Sequence, residues 1–289
     1  MKKLILASLI ASALAGTSAA FAEEKSPHTL TGNVGFVNDY RFRGISQTFL
    51  QPAIQGGFDY SHASGFYAGT WGSNVYGGSN GSGLGVDYNN GSMEWDFYGG
   101  YKWDLGPVGM DFGVLQYQYP GAKWTNPQRT SFNNTELYLG GTWKWFTLKY
   151  SSALTDYFGV NKDTMVIAGV PNCGVTSSGA ASATCAPNNG KGSKGSSYVD
   201  LSGNFELGGG FNLVAHVGKV SVKNYSLFNY TDYKIGVTKE MAGLTWGLAY
   251  IDSNAKADVY RTVKLEGGGN NVVKDTSKGT AILSVSKTF

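Results

Sequence analysis

Apolar and polar residues alternate along most of this chain. In Leu30 to Gln47, LTGNVGFVNDYRFRGISQ, the residues Leu30, Val34, Phe36, Tyr40 and Phe42 fall on one parity, and Thr31, Asn33, Asp39, Arg41 and Arg43 on the other. Successive side chains of a pleated strand point to opposite faces, so a greasy face and a charged face belong to one strand. The same split recurs in Ile54, Phe58, Tyr60 against Gln55, Asp59, Ser61, and in Met93, Trp95, Phe97, Tyr101, Trp103 against Glu94, Asp96, Lys102. It returns in Leu137, Leu139, Trp143 against Glu136, Tyr138, Thr142, and in Val199, Leu201, Phe205, Leu207 against Asp200, Asn204, Glu206. About twelve such runs have the roughly 9–11 residues that a tilted strand needs to cross a bilayer.

A soluble sandwich alternates too, but its connections have no reason to sort by length. Here long ones (44–51, 76–91, 119–133, 158–196, 220–227, 251–279) take turns with tight ones (62–65, 104–107, near Trp145 and Phe146, 208–210, 241–243). Short periplasmic turns, long extracellular loops and an even strand count are the form of outer-membrane barrels. The pattern therefore predicts an all-β protein, a transmembrane antiparallel up-and-down β-barrel of about 12 strands. The extracellular loop 158–196 is the one best able to enter it, a surface loop that leaves the pore untouched being the alternative.

Composition narrows the class. Charged residues are 15%, against roughly 25% in soluble domains, and Gly at 42 of 289 is about twice its usual share. Aromatics at 14% and a net charge of only +3 argue against disorder. No basic cluster supports nucleic-acid binding.

Met1-Lys2-Lys3, the apolar run from Leu4 and the close on Ala20-Phe21-Ala22 predict a signal peptide over 1–22, leaving 23–289 as the exported barrel. An uncleaved membrane anchor is the alternative. No apolar window of 18 residues follows, so no transmembrane helix is expected there. Cys173 and Cys185 are the only cysteines, and export makes a disulfide between them the simplest expectation, with two free thiols as the alternative. The chain ends AILSVSKTF, which resembles the C-terminal assembly signal of outer-membrane proteins, with Phe289 as its terminal aromatic. Lys287 departs from that pattern on the outward parity, where a lysine near the interface can snorkel.

Trp103, Trp145 and Phe146 lie beside tight turns, as an interfacial belt requires. The doublets Gly56-Gly57, Gly99-Gly100 and Gly140-Gly141 interrupt strands, and the adjacent Tyr98 and Tyr138 are placed to cover them. The segments YRFRGISQ (40–47), PAIQGGFDY (52–60) and GFYAGTWGSNV (65–75) resemble the opening block of the TorF family of porins, proteobacterial outer-membrane proteins. That resemblance implies a Gram-negative outer-membrane barrel passing small solutes, and it supplies little mechanism and no catalytic residue to carry over.

By parity the charged lumen residues are Asp39, Arg41, Arg43, Asp59, Glu94, Asp96, Lys102, Asp111, Glu136, Lys149, Asp200, Glu206, Asp232 and Lys234. Asp39, Arg41 and Arg43 should share one rung whose arginines attract anionic solute groups; the alternative is that the arginines are only partners in a salt-bridge network closing a plugged barrel. The expected function is a porin for small polar solutes, with outer-membrane lipids and the barrel-assembly machinery as partners and no cofactor or metal. A plugged structural or adhesive barrel is the alternative. An outer-membrane hydrolase is the remote one: of His28, His62 and His216 only the last faces inward from a strand, and a lone lining histidine makes no catalytic set.

Overall fold

Twelve strands close on themselves in the computed structural model, which describes residues 26–76, 86–87, 92–124, 129–165, 191–265 and 271–289. They are β1 (His28–Val37), β2 (Ala53–His62), β3 (Phe66–Asn74), β4 (Met93–Leu105), β5 (Val108–Gln118), β6 (Asn134–Trp143), β7 (Phe146–Ala153), β8 (Ser197–Gly208), β9 (Phe211–Ser221), β10 (Tyr230–Met241), β11 (Leu244–Ser253) and β12 (Thr280–Thr288). Each pairs antiparallel with the next, and β12 returns to β1, so the barrel leaves no sheet edge unpaired. The predicted signal peptide and the Cys173–Cys185 pair lie outside the described residues.

The period-two pattern sorts cleanly by face. Leu30, Ile54, Phe58, Leu148, Ile235, Leu248 and Leu283 are all more than half exposed on the outside, while Glu94, Asp96, Glu136 and Asp232 are buried inside. Such an outer wall of large apolar side chains is what hydrocarbon, not water, solvates. Aromatics gather toward its rims, with Trp103, Trp143, Trp145, Phe146 and Trp246 exposed near the tight turns. Those turns connect β2–β3, β4–β5, β6–β7, β8–β9 and β10–β11 at one end, and the described parts of the long connections leave the strands at the other. Ala242 and Gly243, with φ of 56° and 73°, make a two-residue turn whose twist suits an antiparallel hairpin.

Inside, tyrosines lie against the wall where their partner is glycine. Tyr67 is paired with Gly100, Tyr98 with Gly69 and Tyr138 with Gly113. A Cβ at Gly69 or Gly113 would fall 2.5 Å from the facing ring or its hydroxyl. The tyrosines expected to cover adjacent glycine doublets instead cover glycines one strand away, because cross-strand neighbours are closer on one face than residues next in sequence.

The opening segment departs from expectation. β1 stops at Val37, and Arg41–Phe42 pairs with Ile45–Ser46 in a small hairpin folded into the barrel. Asp39 accepts bonds from Arg41 Nε (2.6 Å), Ser46 Oγ (2.5 Å) and Thr48 Oγ1 (3.1 Å), a local network that competes with the strand ladder. Arg43 and Gly44, with φ of 47° and 82°, then turn the chain back. Tyr40 and Phe42 are thus not lipid-facing: Tyr40 packs on Trp71, and Phe42 on Tyr117 and Phe158.

This hairpin helps to build an aromatic cluster at the long-loop end, in which Phe42, Tyr117, Tyr119, Trp124, Phe132 and Phe158 meet. Trp124 is 1% exposed, and its Nε1 donates to the Phe158 carbonyl at 2.8 Å. The described start of the 158–196 loop therefore packs into the barrel mouth; residues 166–190 lie outside the described residues.

Candidate functional site

Beneath the aromatic cluster the barrel holds a cavity of about 410 Å³, whose charged lining residues are Asp39, Arg41, Arg43, Asp96, Lys149, Asp200, His216, Asp232 and Lys234. The two arginines of the hairpin enter it separately, so they form no shared rung. Arg41 Nη1 donates to the carbonyls of Gly44, Thr276 and Lys278, each at 3.0 Å, and ties the hairpin to the last long loop. Arg43 reaches the wall instead: Nη2 donates to Glu136 at 2.7 Å and Nη1 to the Tyr157 hydroxyl at 3.0 Å. Its guanidinium also lies 4.1 Å from the Tyr198 ring centroid. The turn at Arg43 and Gly44 breaks the period-two direction and so sends the two side chains apart.

A second cluster spans β8, β9 and β10. His216 Nδ1 is 2.8 Å from Asp200, its Nε2 is 2.7 Å from Asp232, and the Tyr198 hydroxyl donates to Asp232 at 3.1 Å. Carboxylates only accept, so a ring bonded to both matches the imidazolium form. Ser202 completes the Asp200 side at 2.6 Å. Lower down, Tyr98 donates to Asp59 at 2.5 Å and Tyr67 to Asp111 at 2.6 Å, while Tyr67 and Tyr138 share a short hydroxyl contact. Lys102 and Lys149 stand 4.7 Å and 5.1 Å from the rings of Tyr67 and Tyr138. Glu206 is exposed near the tight-turn end of β8.

Glu94 and Asp96 differ from these groups. They project from β4, 0% and 2% exposed, and no donor reaches either Glu94 oxygen or Asp96 Oδ1 in hydrogen-bond geometry.

At the long-loop end, burial pushes the Tyr225 hydroxyl up to about 12, with Asp156 and Asp163 adding to it. It stays a donor, to the Lys191 carbonyl at 2.8 Å.

His216 was visible as an inward residue by parity, but its two partners sit on neighbouring strands and are joined to it only by register. Among the described residues, no group of three or more His, Cys, Asp and Glu side chains is placed to hold a metal ion.

The fold and its cavity define a closed barrel with an apolar outside and a polar inside. Over residues 21–289 the chain matches the family described as "Bacterial protein of unknown function (Gcw_chp)", and it belongs to that family. No curated protein matches it. Similar solved structures include the KdgM porin (6% identity, TM-score 0.45, covering 90% of this chain and 99% of that one) and the NanC porin (11%, 0.47, 90% and 99%). Another is OccAB3 of Acinetobacter baumannii (11%, 0.38, 92% and 65%).

Proposed function

We propose that the protein is a porin of the Gram-negative outer membrane, passing small polar solutes through the barrel. The observation that carries this reading is the opposition of the two faces: an outer wall of exposed Leu, Ile, Phe and Trp closes around a charged, cavity-bearing lumen. The resemblance of residues 40–75 to the TorF porin family supports it. On the same reading the first 22 residues are removed on export, Phe289 serves the assembly machinery, and Cys173 and Cys185 are bridged in the extracellular loop. The lumen charges act on the solute rather than on a chemical bond. The test is insertion of the refolded chain into a planar bilayer. Discrete conductance steps are expected, and their absence from a correctly folded, heat-modifiable sample would reject a channel.

One observation favours a second reading, a barrel plugged for a structural or adhesive role: the aromatic cluster and the Arg41–Ser46 hairpin crowd the long-loop end. Conductance that appears only after Phe42 and Phe158 are replaced by alanine would support the plug.

A further inference from the structure

The lumen cations near the hairpin are already engaged, Arg41 with Asp39 at 2.6 Å and Arg43 with Glu136 at 2.7 Å. Across the cavity, His216 lies between Asp200 and Asp232. Glu94 and Asp96 have no such balance. They sit two residues apart on the same face of β4, and among the described residues neither has an ion pair. The hydroxyls of Tyr40 and Tyr119 approach Glu94 without completing a hydrogen bond. The two carboxylates do not bond each other, so a single proton does not bridge them. Buried carboxylates are ordinarily paired, hydrogen-bonded or held neutral by a proton, and a pair left open in this way can give up its protons in exchange for a cation from outside the chain.

The surroundings say which kind. Trp71 is the cross-strand partner of Asp96, Tyr40 meets Trp71 edge-on at 5.5 Å, and Trp71, Tyr40 and Tyr117 line the same cavity as Asp96. Aromatic rings beside carboxylates suit a weakly hydrated organic cation, whose charge is drawn to the ring faces. They suit a hard metal ion poorly, because that needs six or more oxygens, and the rings supply few. We infer that Asp96, walled by Trp71, Tyr40 and Tyr117 and backed by the buried Glu94, forms a binding site for the ammonium group of small organic amines entering the lumen. This inference rests on the porin reading, since it names the solute class that the same cavity favours.

The experiment is calorimetric titration of the full chain, folded in nanodiscs, with butylammonium chloride, sodium butyrate and calcium chloride, beside the isosteric E94Q/D96N variant and D96N alone. Band shift on unheated gels verifies that each variant is folded. The expected result is saturable butylammonium binding by the unsubstituted chain, weakened at least about tenfold in E94Q/D96N, with butyrate bound by neither, in keeping with a charge-charge contact in a desolvated cavity. Equal butylammonium affinity in both proteins, no saturable binding, or preferred binding of calcium would each overturn the site. Bilayer recordings separate the two readings. Conductance without butylammonium binding rejects the amine site and leaves the porin; carboxylate-dependent binding without conductance upholds the site and rejects the porin.

Discussion

Arg43 and Glu136 are 93 residues apart in sequence, and their charges meet 2.7 Å apart inside the barrel, with side chains 6% and 3% exposed. This ion pair joins the infolded hairpin to β6. Removing one partner leaves the other buried and uncompensated, at a cost of about 3–5 kcal/mol.

Arg43→Ala should therefore lower the urea midpoint of the lipid-folded protein more than the double variant Arg43→Ala/Glu136→Ala does relative to Glu136→Ala. Band shift against urea measures it. Equal losses in all backgrounds would show that the pair is not coupled. In bilayers, Arg43→Ala should also change conductance if the hairpin narrows an open path.

The two faces can be tested with the same residue type. Leu248 is 56% exposed on the outside of β11, and Thr238 lines the cavity from β10. An arginine near the bilayer midplane costs roughly 2–4 kcal/mol. Leu248→Arg should lose about that much folding free energy, whereas Thr238→Arg should leave stability nearly intact and shift ion selectivity toward anions. Similar losses from both would mean that the wall has no lipid side.

Glycine beside tyrosine gives a third prediction. A Cβ on Gly113 would fall 2.5 Å from the Tyr138 hydroxyl and 2.7 Å from the Gly99 carbonyl, a backbone atom that cannot swing away. Gly113→Ala should cost about 1–3 kcal/mol through overpacking. Tyr138→Phe keeps the ring on the wall and loses only its hydrogen bond, about 1 kcal/mol. Thermal band-shift midpoints should therefore fall more for the glycine change than for the tyrosine change.

The strand frame was legible in the sequence because one physical quantity, side-chain parity, encodes it in every strand: Leu201 out and Ser202 in requires no knowledge of a partner. Connection lengths then ordered the strands. Parity misled at Tyr40 to Arg43, where the same alternation belongs to an internal hairpin. What reveals the break is the set of side-chain acceptors and donors Asp39, Ser46 and Thr48, together with Gly44, which can bond and turn locally. The site was legible one residue at a time but not as a constellation. Asp200, His216 and Asp232 come together by the register of three strands, and the chain specifies that register only through packing on both faces. The glycines under Tyr98 and Tyr138 escaped for the same reason.

The last prediction concerns the seam. Phe289 and Gly32 exchange two backbone hydrogen bonds, N–H of Gly32 to Phe289 O at 2.7 Å and N–H of Phe289 to Gly32 O at 2.9 Å, just where β12 meets β1. The Phe289 ring covers Gly32 so closely that a Cβ there would lie 2.7 Å from it, yet the residue remains 67% exposed on the outer face. Covering one glycine is a cross-strand contact of about 0.2–1 kcal/mol, too small to decide whether the barrel closes. If Phe289 also serves as the assembly signal, Phe289→Ala should refold into vesicles with a urea midpoint near that of the unsubstituted chain. In cells, the same variant should reach the outer membrane in much smaller amount. Gly32→Ala crowds the same ring without altering the terminal residue, and the exposed ring can swing aside, so both the midpoint in vesicles and delivery in cells should stay close to those of the unsubstituted chain. Normal cellular delivery of Phe289→Ala would leave the ring with the seam alone.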